Sequence, residues 1–416
     1  MRHQARTVAA ERVESTSTGT LAPGDRLRRL ARSGTAPLWI LVALVLTFGL
    51  VMTLSASLVY ALDSTGSAYT VFLRQAVWVA AGVVAMVACA AIPYQRWSRW
   101  VPVIVVAVFA LLIMVKIPGL GISVNGARRW VGWGPIRLQA SEFAKFGFLL
   151  AAAAILAKKR RMLQDPVNAV VPVVVPLWTG IALLVMLEPD LGTTLVITSI
   201  CFLLLFVAGV RLDLMGILGA VGAVGVAILA YIEPYRRARM LSFLQPFNDP
   251  HGGGYQVVQG MIAMGSGGVS GVGLGASRQK WMFLPNAHTD FIFAVIGEEL
   301  GLVGSMVLLS LLCLLVAYCV RAARRAPDLF GTLVASGVAC WLAVQAVLNI
   351  GAVTAVLPIT GVPLPLVSVG GSNVLVLLAS LGIVVNIARQ GDIEVARAEH
   401  RHRRARRNAE AALNAI

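Results

Sequence analysis

Long apolar stretches separated by short polar connections recur along most of the chain. A membrane-spanning helix needs roughly 20 mostly apolar residues. By that measure the pattern predicts ten spans, at approximately 37–61, 75–93, 101–118, 141–157, 169–187, 191–209, 213–232, 291–318, 330–353 and 370–388. The fifth and sixth spans are separated only by Glu188-Pro189-Asp190, which favours an antiparallel hairpin. We therefore expect an all-α polytopic membrane protein with about ten transmembrane helices.

Composition supports this expectation. The chain has 416 residues, of which 58% are hydrophobic and only 13% charged, whereas soluble domains are about a quarter charged. So little charge cannot cover a water-facing surface. Both ends differ, because residues 1–35 and 391–416 are polar, rich in arginine and without apolar periodicity. We expect two disordered basic tails around a membrane domain at 36–390, whose large extracytoplasmic loop is 233–290.

The distribution of lysine and arginine predicts the orientation. Cytoplasmic segments carry an excess of these residues. With the N-terminus inside, the inner tails and loops hold 24 of the 35 and the outer loops hold 10. Both termini are therefore expected to be cytoplasmic. The net charge of +16 does not indicate nucleic-acid binding, because the basic residues do not cluster with aromatic residues on one soluble module.

Nine of the ten outer basic residues lie in two loops, 116–140 and 233–290. Positive charge placed against the topological rule needs a reason. An anionic substrate at the outer face is one explanation. Pairing with acidic residues, or chance, is the other.

Asp290 ends the second of these loops. Phe291 opens a strongly apolar span directly after it, so Asp290 is expected at the boundary between water and membrane. An aspartate at a helix start is often only an N-cap. The alternative is a carboxylate at the mouth of a cavity, placed to take a proton from a sugar hydroxyl.

Three further acidic or basic residues lie at or within the spans. Glu142 and Lys145 are three residues apart on the fourth span, and a charged pair in a membrane helix is a functional hypothesis by default. The alternative is an ion pair that only locks helices together. Asp190 either caps the sixth span or helps to hold a divalent cation or a basic partner.

Adjacent carboxylates at Glu298 and Glu299 are costly in lipid, and a structural role is expected for at least one. The stretch 264–280 before them contains six glycines, Arg278 and Lys280. Such a loop could hold phosphate through exposed backbone N–H groups, although a merely flexible loop is as good an explanation. It matches neither a Walker A motif nor a dinucleotide fingerprint.

The last connection, 357–365, contains three prolines and is expected to be non-helical at membrane depth. Such backbone persists only where it is buried in protein or lines a cavity. It leads to Ser372 at the start of the final helix, where free N–H groups could meet an anion.

These blocks together resemble the SEDS family, whose members act in bacterial shape, elongation, division and sporulation. The resemblance covers about residues 37–390. It rests on Gly-Ser-Gly-Gly, Gly-Val-Gly-Leu-Gly, Ser-Arg-Gln-Lys, His-Thr-Asp-Phe-Ile-Phe and Gly-Glu-Glu-Leu-Gly within 255–301, on Pro-Ile-Thr-Gly-Val-Pro-Leu-Pro-Leu-Val-Ser-Val-Gly-Gly-Ser at 358–372, on Pro-Asp-Leu-Gly-Thr at 189–193, and on Glu142 with Lys145. The run at 277–280 is more similar to the division members than to the elongation members.

The resemblance implies a SEDS-type fold and a peptidoglycan glycosyltransferase that polymerises lipid II at the outer face of the cytoplasmic membrane. It implies a class B penicillin-binding protein and other division proteins as partners, at the septum. Asp290 matches the essential aspartate, and Glu142, Lys145 and Asp190 match polar cavity residues. The candidates for binding the diphosphate are Arg128, Arg129, Arg137, Arg278, Lys280 and Lys145, with Ser372 as a further polar contact. Mg²⁺ or Mn²⁺ could assist, although no motif specifies a metal site, and no organic cofactor is expected.

Two rival functions remain at this point. Polar residues inside the membrane would also suit a lipid II flippase, and a noncatalytic division scaffold is the third option. The chain departs from the usual family pattern at Ala140, Glu188 and Val369, where proline, glutamine and tyrosine are common. None of these differences removes a charged site residue.

Overall fold

The computed structural model describes residues 35–124, 127–133, 136–160, 170–232, 246–247 and 254–413. The helices are α1 (Ala36–Thr65), α2 (Thr70–Ala91), α3 (Gln95–Met114), α4 (Ala140–Lys158), α5 (Thr179–Leu187), α6 (Leu191–Ala208), α7 (Leu212–Ile232), α8 (Tyr255–Gly267), α9 (Ile292–Arg324), α10 (Leu329–Val353) and α11 (Gly371–Leu413). Each of the ten predicted spans contains helix, which confirms a helical, multi-pass membrane protein.

Among the described residues, eight helices are long and apolar enough to cross a membrane, namely α1 to α4, α6 and α9 to α11. The fifth predicted span appears as a shorter apolar helix, Val173–Leu187, and the seventh corresponds to α7, whose first part, Leu212–Gly222, is apolar. The fifth is irregular because Pro176 lies inside it, and the chain there forms a π-helical turn, Val173–Trp178, that leads into α5. Proline removes a backbone donor and forces such local widening.

A small antiparallel sheet fills the first basic outer loop, and the sequence analysis did not predict it. Its strands, in the order β1-β2-β3, are β1 (Gly121–Val124), β2 (Ala127–Trp133) and β3 (Ile136–Gln139). Trp130 of β2 pairs with Ile122 on one side and with Gln139 on the other. Since β3 ends at Gln139 and α4 begins at the next residue, the sheet fixes where α4 starts.

The helices differ in how much protein surrounds them. α4, α10 and α11 are mostly buried and form the centre of the bundle. By contrast, α2 and α3 present large apolar side chains outward, such as Val84 (70% exposed) and Val103 (71% exposed). In a bilayer these side chains face lipid, which solvates them as well as a protein core does.

The two predicted tails have different outcomes. Residues 1–34 lie outside the described part of the chain. The other tail does not match the expectation of disorder, because α11 continues through 391–413. The segment is rich in alanine, arginine and glutamate, which are strong helix formers. Charged residues also pair along it, since Arg401 Nη2 lies 3.8 Å from Glu394 Oε1.

Candidate active site

Asp290 lies partly buried, two residues before the first residue of α9. Phe291 occupies the cap position, so Asp290 is not itself the capping residue that the simpler interpretation expected. Its backbone carbonyl accepts a hydrogen bond from Asn349 Nδ2 of α10 at 2.8 Å. Its carboxylate lies beside Gly361, where an added Cβ would be 3.6 Å from Oδ2. The aspartate is therefore held between α10 and the proline-rich connection.

That connection, residues 354–370, is non-helical and enters the bundle, and we call it the re-entrant loop. Residues 364–368 within it are buried, as the expectation for irregular backbone at membrane depth requires. Gly192 of α6 packs directly on it, since an added Cβ would lie 2.8 Å from the Thr360 carbonyl oxygen. The re-entrant loop thus lies between the Asp290 region and the start of α6.

Asp190 caps α6, as one of the two interpretations predicted. Its Oδ1 accepts from the Thr193 backbone N–H at 3.1 Å. Its Oδ2 accepts from the hydroxyls of Thr193 and Ser141, both at 2.9 Å, and from Gln139 Nε2 at 3.2 Å. Four donors therefore surround a carboxylate that is only 5% exposed. The residue ties α6 to the junction between β3 and α4.

Glu142 and Lys145 form the predicted ion pair. Lys145 Nζ lies 2.8 Å from Glu142 Oε2, and both side chains are at most 2% exposed. Asn373 Nδ2 of α11 donates to Glu142 Oε2 at 2.8 Å, and Lys145 Nζ lies 4.9 Å from the ring centroid of Trp341 on α10. The pair joins α4 to α10 and α11. Direct contact with a substrate stays a prediction.

Glu188 is a buried acid that the sequence analysis noted only as a departure from the family pattern. It is fully buried, and neither carboxylate oxygen has a hydrogen-bond partner among the described residues. Burial, and then the charge of Asp190, raise its pKa from 4.5 to about 8, although Lys116 and Arg129 act in the opposite direction. The side chain is therefore mostly protonated at neutral pH.

Two basic residues of the outer loops, Arg129 and Lys116, donate hydrogen bonds to backbone carbonyls at the C-terminal end of α5. Arg129 Nε donates to the Glu188 carbonyl at 2.9 Å and its Nη2 donates to the Pro189 carbonyl. Lys116 Nζ donates to the Leu187 carbonyl. Cations at a helix C-terminus satisfy its free carbonyls and its dipole. These contacts account for part of the unexpected outer charge without a ligand.

Lys280 is buried in an ion pair with Glu299, and its contact with substrate stays a prediction. Its Nζ lies 3.1 Å from Glu299 Oε1, and the side chains are 5% and 0% exposed. Ser55 Oγ of α1 donates to the same carboxylate at 2.7 Å. Glu298 accepts from Ser277 Oγ and from the Arg278 backbone N–H at 2.9 Å. Both glutamates therefore have the structural role that was expected for at least one.

The glycine-rich stretch packs on α9 and does not form an open phosphate cradle. α9 breaks at Gly301 (φ 67°, ψ −162°), and the freed groups bond to the stretch. Leu302 N–H donates to the Gly268 carbonyl at 3.0 Å, and Gly273 N–H donates to the Glu299 carbonyl at 3.0 Å. An added Cβ at Gly271 would lie 2.2 Å from the Glu299 carbonyl oxygen. The glycines are needed for this close approach.

The remaining candidates lie at two places. Ser372 accepts from the Gln139 backbone N–H at 3.0 Å and donates to the carbonyl of the exposed Arg137 of β3 at 3.4 Å. Its neighbours complete the link, since Gln139 donates to Asp190 and Asn373 donates to Glu142. Arg278 is exposed, but its backbone belongs to the Glu298 cluster. The structure thus gathers Asp190, Ser372 and the Glu142–Lys145 pair, and it joins them to Asp290 through the re-entrant loop.

His288 was not singled out from the sequence. Its ring stacks on Tyr60 of α1 with centroids 4.5 Å apart, and its carbonyl accepts from the Val369 N–H at 3.2 Å. Burial lowers the pKa of His288 from 6.5 to about 4, so the imidazole is neutral at physiological pH. The only sequence signal was its position two residues before Asp290.

Comparison with known proteins agrees with this architecture. The family described as "Cell cycle protein", of the FtsW, RodA and SpoVE type, matches residues 35–392. Stage V sporulation protein E of Bacillus subtilis is 39% identical over 350 residues, which cover 84% of this chain and 95% of the relative. A probable peptidoglycan glycosyltransferase FtsW of Coxiella burnetii is 39% identical over 357 residues, covering 84% and 95%.

Solved structures show the same fold. A chain from a peptidoglycan synthase complex, described for its coordination of polymerization and crosslinking, superposes with a TM-score of 0.68 at 31% identity and covers 85% of this chain and 97% of that one. The rod shape determining protein RodA of Thermus thermophilus gives a TM-score of 0.62 at 30% identity, covering 85% and 95%. The chain belongs to the FtsW/RodA/SpoVE family, the SEDS family of cell cycle proteins.

Proposed function

We propose that the protein is a peptidoglycan glycosyltransferase that polymerises lipid II at the outer face of the cytoplasmic membrane. The observation that carries the proposal is the placement of Asp290, a partly buried carboxylate fixed between α10 and the re-entrant loop. It stands in a chain whose relatives include proteins named as probable peptidoglycan glycosyltransferases.

Asp290 acts as the general base. It takes the proton from the 4-hydroxyl of an acceptor N-acetylglucosamine, and that oxygen forms a bond to the anomeric carbon of the donor N-acetylmuramic acid. The bond from that carbon to phosphate breaks, and undecaprenyl diphosphate leaves with the electron pair. An ordinary aspartate, with a pKa near 4, is a weak base, so its position must supply much of its effect.

His288, two residues before Asp290, is neutral at physiological pH because burial lowers its pKa to about 4, so it supplies no positive charge to the site. The leaving group gains negative charge, which cations stabilise. Of the candidates, Arg128, Arg137 and Arg278 are exposed, whereas Lys280 and Lys145 are buried in ion pairs.

A divalent cation fits this site only as a companion of the substrate. Among the described residues, no three His, Cys, Asp or Glu side chains converge to form a metal site. Mg²⁺ is commonly held by one or two carboxylates together with substrate phosphates. Asp290 would be the protein ligand, and Mg²⁺ or Mn²⁺ would neutralise charge on the diphosphate.

The division branch is the member type we favour, because relatives named FtsW recur among the matches. We place the protein at the septum with other division proteins. A class B penicillin-binding protein, which crosslinks new strands, is the proposed partner. A solved relative belongs to a complex that couples polymerization to crosslinking, which supports such a pairing.

The deciding experiment gives purified protein lipid II and a divalent cation, with and without its penicillin-binding protein. Wild type should make glycan polymer. Asp290→Asn should make none while it keeps the thermal stability of wild type. Lipid II flipping without polymer formation, even beside the partner, would establish the flippase alternative. Normal division supported by Asp290→Asn would establish the scaffold alternative.

A further inference from the structure

One face of α10 carries three side chains that reach the site, at positions 341, 345 and 349. Residues four apart lie on one face of a helix, and eight residues span about 12 Å along its axis. At the end of this face nearer the start of α10, Lys145 Nζ lies over the Trp341 ring. Trp341 Nε1 donates a hydrogen bond to Gln345 Oε1 at 2.7 Å. Gln345 Nε2 donates to the Pro363 carbonyl at 2.8 Å. The face therefore connects the buried ion pair to the re-entrant loop.

Asn349 lies at the other end of this face, near the C-terminus of α10, and connects two separate segments of backbone. Its Nδ2 donates to the carbonyl of Asp290 at 2.8 Å and to the carbonyl of Val362 at 2.8 Å. The side chain is 2% exposed. One amide thus fixes the main chain of the proposed base against the loop that lies beside its carboxylate.

The other end of the same amide is unused. Asn349 Oδ1 is buried and has no hydrogen-bond partner among the described residues. An unsatisfied buried acceptor destabilises the folded state. Asn386 of α11, by contrast, uses both ends, since Nδ2 donates to the Ala90 carbonyl at 2.7 Å and Oδ1 accepts from the Tyr94 N–H at 3.0 Å. The orientation of the Asn349 amide therefore leaves its oxygen unsatisfied and directs its nitrogen to two backbone carbonyls at the site.

We propose that Asn349 is a positioning residue that holds Asp290 in register with the re-entrant loop. The inference rests on the proposed function, because it takes Asp290 as the base. Asn349 acts through the Asp290 backbone and not through contact with substrate. Its loss should therefore slow the chemical step and leave donor binding intact. A misplacement of about 1 Å in a reacting group can lower the rate by roughly 100-fold.

The experiment compares Asn349→Ala with Asn386→Ala, a matched loss of a buried asparagine amide between helices. Polymerisation of lipid II is measured below the unfolding temperature of each variant and normalised to folded protein. Asn349→Ala should lower kcat by about 10- to 100-fold with the KM for lipid II within twofold of wild type. Asn386→Ala should lower stability and keep kcat within twofold. Asn349→Ser, which retains one hydroxyl donor, should recover part of the lost kcat.

Three results would overturn the inference alone. These are a kcat for Asn349→Ala within twofold of wild type, a tenfold rise in KM at unchanged kcat, or an equal loss of kcat in Asn386→Ala. If Asn349→Ala does not fold, Asn349→Leu, which has a similar size and no hydrogen-bond donor, replaces it, and a kcat within twofold of wild type then counts against the proposal. A wild type that polymerises nothing, even beside its partner, would overturn the proposed function and this inference together.

Discussion

The environment of Glu188 is unlike that of an ordinary, solvated carboxyl. It is fully buried with no partner for either oxygen among the described residues, and its pKa is raised to about 8. The protonated side chain has nearly the shape and polarity of a glutamine amide, the residue that the family resemblance led us to expect here.

This predicts a pH-dependent stability. Because the folded pKa lies above the unfolded value of about 4.5, the contribution of Glu188 is complete below pH 4.5 and is lost as pH rises to about 8. Glu188→Gln cannot ionise, so its melting temperature should exceed that of wild type by about 3 °C or more at pH 9 and approach it at pH 4.5 and below. Thermal unfolding in detergent across this range measures the difference. The exposed Asp213→Asn is the control, and a constant gap between wild type and Glu188→Gln would contradict the prediction.

Contacts between residues close in the sequence could be predicted from the sequence alone. The Glu142–Lys145 pair is three residues apart, and the Asp190 cap needs only the first turn of α6. The hydrogen-bond partners of Lys280 and Arg129 could not be predicted in this way. Their contacts join residues 19 and 59 positions apart, and only the folded loops bring those residues together. Asn349 was missed for the same reason.

At the scale of elements, the pairing of Lys280 with Glu299 joins the outer loop to α9. Lys280→Met should leave a buried carboxylate without its cation and destabilise the protein by about 3–5 kcal/mol. The double variant Lys280→Met/Glu299→Gln should recover most of that loss, because glutamine can still accept from Ser55. Thermal unfolding measures the stability of both variants.

Activity of the double variant then separates structure from chemistry. We expect lipid II polymerisation within about threefold of wild type, since both charges are removed together and the loop stays in place. A stable double variant that makes no polymer would show that the Lys280 ammonium acts on the substrate, as the sequence analysis first suggested.

The close packing of the glycine-rich stretch on α9, at the helix break, can also be tested by substitution. Gly271→Ala places a Cβ against the Glu299 carbonyl at a backbone φ of 80°, so clash and strain add. Gly273→Ala, at φ 104° with nothing within 4 Å, should cost only the strain of about 1–2 kcal/mol. Gly271→Ala should therefore melt at a clearly lower temperature than Gly273→Ala. Equal melting temperatures would mean that the two elements do not pack as closely as described.

The ten-segment pattern and the irregular proline-rich loop followed from apolar periodicity, because a bilayer imposes helix length and penalises open backbone. The sheet at 121–139 could not be predicted from this periodicity, because strands of four to seven residues in a loop with scattered arginines carry little periodic signal. The helix at 391–413 was missed because its polar composition suggested a solvated tail, although its residues are individually good helix formers.

For the whole molecule, α9 indicates where the outer membrane boundary lies. From Gly301, where the helix breaks, to Arg321 near its inner end there are 20 residues, or about 30 Å of helix, which equals the hydrocarbon thickness. The first ten residues of α9 and Asp290 then lie at or above the outer boundary. Exposed Trp281 and Phe283 would sit at the interface, where aromatic residues concentrate.

The charge distribution predicts the orientation, with Asp290 outside and α11 ending inside. Single cysteines at Val272 and Glu394, both exposed, test it in a background whose five native cysteines are replaced by alanine. In right-side-out membrane vesicles, a membrane-impermeant maleimide should label Val272→Cys at once and Glu394→Cys only after permeabilisation. Inverted vesicles should give the opposite order. Labelling of Glu394→Cys from the outside would place the carboxylate of Asp290 on the cytoplasmic side, and an enzyme so oriented could not extend glycan strands outside the cell.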